Sequence, residues 1–129
     1  MSQEVCEIRK VEQCLMDLLH AVQKADISSY LELVSENVSC FEPETHGHLL
    51  KGIGLHRFLV KESEPVEKYH IELVDPAIRI NGDMAYVAYT LLLTELHETG
   101  ETIQSESVTR IFEKQGNAWK MIHFHRSKA

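Results

Sequence analysis

The fold is decided by the stretch TRIFEKQGNAWKMIHFHRS, running from Thr109 to Ser127. Two runs rich in branched and aromatic residues flank Gln115-Gly116-Asn117, the pattern of a β-hairpin. In an extended strand alternate side chains face opposite ways. That parity puts Ile122, Phe124 and Arg126 on one face, and Trp119, Met121, His123 and His125 on the other. The first row is apolar until its end, so it is expected to face the core, with Arg126 continuing it near the rim. The same parity joins Val108, Arg110 and Phe112 on the preceding strand. Two arginines are therefore expected to line an otherwise apolar concavity. With the turn centred on Gly116, Arg110 falls opposite Ile122 and Arg126 roughly 13 Å further along.

Upstream of the hairpin the pattern changes twice. Ile8, Val11, Leu15, Leu18, Leu19 and Val22 recur at three- and four-residue spacing, which predicts an amphipathic helix over about residues 3–24. Asp26 is placed to cap a short second helix with Leu31 and Val34 turned inward. The run VSCFE alternates and ends at Pro43, and GIGLHRFLVKE reads as a short helix whose apolar side is Ile53, Leu55, Phe58 and Leu59. Strands follow: YHIEL, then Asp75-Pro76, AIRI, a turn at NGD, MAYVAYTLLLTEL, and a further turn at His97–Gly100. Helices first and long antiparallel strands after predict one α+β domain over residues 1–129, its curved sheet wrapping the first helix.

The 129 residues suffice for one core, and 43% hydrophobic with 26% charged residues is a globular composition. A formal net charge of −7 argues against nucleic acid and anionic membrane surfaces as partners. The charged start MSQEVCEIRK does not read as a leader, and no apolar run has membrane length. Cys6, Cys14 and Cys40 lack a metal spacing and are expected to be reduced thiols in a cytoplasmic protein.

A guanidinium inside an apolar concavity needs a counter-charge, because desolvating it alone costs several kcal/mol. For Arg110 and Arg126 that charge is either internal, from Glu42, Glu44 or Glu106, or a bound carboxylate gripped bidentately. On the opposite parity Trp119 and Met121 are expected to be exposed beside His123 and His125, with Met84 and Tyr86 joining them. A sheet apolar on both faces predicts a subunit interface.

The runs CFEPETHGHLLKGIGLHRFLV, INGDMAYVAYTLLL, QSESVTRIF and WKMIHFHRS resemble the association (hub) domain of calcium/calmodulin-dependent protein kinase II, over about Tyr30 to Ser127. The resemblance implies the nuclear transport factor 2-like, cystatin-like cone with a deep pocket, and assembly into a dimer or larger ring of identical subunits. It implies a stand-alone copy of that domain, without kinase activity of its own. Its pocket residues match His56 of HRF, Arg110 of TR and Arg126 of HFHR. A further family arginine falls on Leu91, and the loop after HRF is shorter here and has no tryptophan.

Two other chemistries can be written on these residues. His46 and His48, completed by His56 or His97, have the residue types of a metal site, but a His-x-His in a glycine turn is usually solvent-facing, so no metal or other cofactor is expected. The cone also supports isomerases, dehydratases and cyclases, and in that alternative His56 is the acid/base and the arginines hold a carboxylate substrate. Those enzymes use a pocket aspartate or similar carboxylate arrangement, whereas Asp26, Asp75 and Asp83 read as cap and turn residues.

Overall fold

The computed structural model describes residues 2–54, 56–57 and 64–128. Helix α1 (Gln3–Gln23) begins where the Ser2 side chain accepts from the Val5 amide, and its apolar stripe buries Val11, Leu15, Leu18 and Leu19. Val22, at the end of that stripe, is 38% exposed. Helix α2 (Ile27–Leu33) is capped by Asp26, whose carboxylate accepts from the Ser29 amide and hydroxyl, and it buries Tyr30.

The strands are β1 (Val34–Phe41), β2 (Leu50–Lys51), β3 (Lys68–Asn81), β4 (Met84–His97), β5 (Gly100–Gln115) and β6 (Ala118–Lys128). They form a six-stranded, curled and unclosed sheet in the order β2-β1-β6-β5-β4-β3. The meander β3 to β6 is antiparallel throughout, as expected. Strand β1 joins it parallel to β6, so the sheet is mixed. The Asp75-Pro76 break is absorbed inside β3 as an irregularity between Val74 and Ala77, with Asp75 at φ 48°. His56 and Arg57 are helical, while Leu55, Phe58 and Leu59 of the expected apolar side lie outside the described residues.

The core lies between α1 and the concave face: Val87, Tyr89 and Leu91 from β4, Val108 and Phe112 from β5, and Phe124 from β6. Strand β6 departs from simple alternation. Phe112 pairs with Met121 and Ile111 with His123, which leaves Ile122 as an extra residue in the ladder. Such a β-bulge reverses the facing of everything beyond it. Before it Trp119 and Met121 point into the core, at 5% and 0% exposure; after it Phe124 does, at 2%.

Candidate functional site

The bulge sorts the two histidines from the tryptophan. Trp119 was expected outside beside Met121, His123 and His125; instead Trp119 and Met121 are covered by their own chain, so the exposed surface that made them interface anchors does not exist. The Trp119 indole Nε1 donates to Glu7 Oε2 at 2.8 Å, and the Trp119 carbonyl accepts from Cys14 Sγ at 3.5 Å. The indole N–H is the main cause of the lowered Glu7 pKa. His123 and His125 do face outward. His123 Nδ1 lies 2.7 Å from Ser39 Oγ, and both rings pack on Phe41, with centroids 6.0 Å and 5.3 Å away. Tyr86, 41% exposed, pairs with Ile111, which pairs with His123, so one outward row crosses β4, β5 and β6.

On the concave side His56, Arg110 and Arg126 do converge. They line one cavity of about 380 Å³, together with Leu19, Tyr30, Leu91, Leu93, Phe124 and a set of glutamates. The two-residue turn at Gly116-Asn117 and the bulge each shift the pairing by one residue, and together they bring the arginines nearer than a turn centred on Gly116 does. Arg110 is opposite Phe124 and Arg126 is opposite Val108, two residues apart rather than four, or roughly 7 Å along the strand.

The two guanidiniums have different partners. Arg126 Nη1 donates to Glu106 at 3.0 and 3.2 Å, and its Nη2 lies 3.2 Å from carboxylate oxygens of Glu42 and Glu44. Burial works against the Arg126 charge, but Glu106, Glu42 and Glu44 outweigh it and raise its pKa. Arg110, only 6% exposed, has no carboxylate within ion-pair distance among the described residues. Its Nε donates to the Tyr89 hydroxyl at 2.9 Å, its Nη1 lies 3.3 Å from Met121 Sδ, and its guanidinium carbon sits 4.8 Å from the Phe124 ring centre. No polar side-chain atom among the described residues is both buried and unpartnered, so the remaining Arg110 donors are turned to the cavity. Of the two fates open to a pocket arginine, Arg126 has the internal one and Arg110 does not.

His56 is 6% exposed, hydrogen-bonded to the Tyr30 hydroxyl and tilted on Phe124 with ring centres 5.1 Å apart. Burial first, then the charges of Arg110 and Arg126, pull its pKa down to about 4. It is therefore neutral at pH 7 and serves as a hydrogen-bonding group. A base that weak abstracts protons poorly at neutral pH, which counts against the acid/base role. Glu42 moves the other way, raised chiefly by burial. The acids facing this cavity are all glutamates, Glu42, Glu44, Glu95 and Glu106. Asp26 is the expected helix cap.

Residue-type reasoning did not foresee that Cys40, Glu42 and His56 offer donor atoms within 4.8 Å of one another. Burial pushes the Cys40 thiol up to about 12, and two guanidiniums face the same space, so the trio is a poor seat for a cation. The set of His46 and His48 with His56 or His97 does not converge among the described residues.

The sequence model of the family described as calcium/calmodulin dependent protein kinase II association domain matches residues 6–129. This chain belongs to that family. The association domain is 35% identical over 130 residues to calcium/calmodulin-dependent protein kinase type II of Caenorhabditis elegans, covering 98% of the chain but only 17% of that protein. It therefore spans about a fifth or less of that curated relative. Among solved structures it is similar to the S. rosetta CaMKII hub, with a TM-score of 0.83 and 34% identity over 95% of this chain and 96% of that one. It is also similar to the C. elegans CaMKII association domain, with a TM-score of 0.87 and 30% identity over 97% and 98% of the two chains. A putative NTF2-like dehydratase from Streptomyces avermitilis, TM-score 0.82 at 19% identity over 98% of this chain and 99% of that one, shares the fold alone. No helix of this association domain among the described residues is long and apolar enough to cross a membrane.

Proposed function

We propose that this association domain assembles with copies of itself and that its concave pocket holds a small carboxylate on Arg110. Family membership supports the first part. The outward row of Tyr86, Ile111 and His123, with His125 beside it, is the surface that offers itself for pairing. The second part is carried by one observation: Arg110 is a buried cation with no counter-charge among the described residues, open to a cavity of about 380 Å³. A bound carboxylate supplies the missing charge, and the neutral imidazole of His56 offers it a hydrogen bond. Arg126, saturated by three glutamates, shapes the pocket wall more than it grips the ligand.

Two measurements test this reading. Light scattering at micromolar concentration should give a mass of at least a dimer, and a monomer mass defeats the assembly claim. Caproate should raise the melting temperature of the native chain and fail to do so in Arg110→Gln. If no carboxylate stabilises the native chain, Arg110 is a structural cation and the pocket claim falls.

A further inference from the structure

His123 and His125 stand on the outward face of β6, and both rings pack on Phe41. Their surroundings offer no counter-charge. The row through His123 runs from Arg79 on β3, by way of Tyr86, Ile111 and Ser39, to Lys51 on β2, so the charges at its two ends are both basic. The row through His125 crosses Thr109 and Phe41 and carries no other ionisable side chain. In the row on the other side of His123 the one carboxylate is Glu113, with Lys120 opposite it. Glu42 and Glu44, which follow Phe41 in the chain, are engaged by Arg126. An imidazole titrates near pH 6.5 in water, so the centre of this patch changes from largely uncharged to cationic just below neutrality. Burial, and then the charge of His125, hold His123 below the ordinary value.

A closed contact between two identical copies sets the same patch against itself. What one copy lacks, its partner lacks too. An imidazolium inside such a contact therefore meets no carboxylate from either chain, only basic groups and further imidazoles. The contact also removes the water that stabilises the charge. The Ser39 hydroxyl, 2.7 Å from His123 Nδ1, can accept from a neutral or a protonated ring, so this hydrogen bond does not offset the loss.

We infer that assembly of this domain is acid-sensitive, the copies separating as His123 and His125 take up protons. The inference rests on the assembly reading, with the outward row as the contact, and adds its regulation. The contact keeps the rings neutral to a lower pH than the free domain does, so separation takes up protons. Association is then strongest above neutrality and weakens as pH falls through the range in which the free rings titrate.

Sedimentation equilibrium of the full chain at pH 7.5 and pH 5.5 tests this. The dissociation constant should rise about tenfold or more between the two, with the circular dichroism of a folded chain at both. The paired variant His123→Gln with His125→Gln should assemble at both pH values with nearly the same constant. His70→Gln, at the other end of the same face opposite Thr94, should respond to acid as the native chain does. His125→Lys makes the charge permanent and should weaken assembly already at pH 7.5. A monomer at pH 7.5 defeats the assembly reading and the inference with it. Three results leave assembly standing and overturn the acid sensitivity: equal tightness at pH 5.5, separation only as the chain unfolds, or a pH dependence that persists in the paired variant. A His125→Lys chain that assembles as tightly as the native one overturns it as well.

Discussion

Arg110 lies with its guanidinium carbon 4.8 Å from the centre of the Phe124 ring, and this cation–π contact takes the place an ion pair usually fills. The contact holds the side chain against the wall of the cavity while leaving its outer donors open. The desolvation of such a cation is only partly repaid by neutral partners.

Replacing Arg110 with Met should therefore cost the unliganded domain little. The loss of the Tyr89 and Phe124 contacts is offset by removal of a desolvated charge, so unfolding free energy should stay within about 1 kcal/mol of the native value. Urea unfolding checks this. A loss of several kcal/mol would mean that Arg110 is compensated internally.

Arg126→Ala should behave in the opposite sense. It strands Glu42 and Glu106, both mostly buried, without their cation, at a cost of about 3 kcal/mol at pH 7. Stranded carboxylates have folded-state pKa values above their unfolded ones. Their penalty is then largest at high pH and shrinks as pH falls toward the unfolded values. The gap between variant and native chain should accordingly narrow from pH 7 to pH 5, as measured by thermal unfolding.

Trp119→Ala should lower stability by about 3–5 kcal/mol through the cavity it opens in the core. The mass of the folded assembly should not change, because the indole is covered by its own chain and bound to Glu7. A variant that stays equally stable but dissociates would place Trp119 at a subunit contact.

His56 makes stability pH-dependent. Its folded pKa, about 4, lies below the model value of 6.5, so the unfolded chain binds the extra proton first as pH drops. The contribution of neutral His56 is complete above pH 6.5 and is lost between about 6.5 and 4, amounting to at most about 3 kcal/mol. Glu42, raised by burial, gains stability as pH falls and partly masks the loss. The difference between the native chain and His56→Gln isolates the histidine: it should shrink steadily across that window. A difference independent of pH would show that the ring titrates normally.

Much of this architecture is written in local pattern. The three- and four-residue spacing of α1, the Asp26 cap and the alternating runs of β4 and β5 each impose their element through nearest neighbours alone, and the parity of Val108, Arg110 and Phe112 follows directly. So does the family, carried by residues such as His56, Arg110 and Arg126 in fixed order. What the pattern could not carry is the bulge at Ile122. Whether a strand accepts one extra residue depends on which side chains its neighbours and the helix can accommodate, and here Trp119, Met121 and Phe124 all find room in the core only if the ladder slips by one. That slip puts Trp119 in the interior together with Phe124, and with the two-residue turn at Gly116-Asn117 it halves the distance between the two arginines along the sheet. The sharing of the glutamates was likewise undecided by sequence: Glu42 and Glu44 come from beyond β1 and Glu106 from β5, and only the parallel docking of β1 against β6 delivers them to Arg126 and leaves Arg110 without a carboxylate.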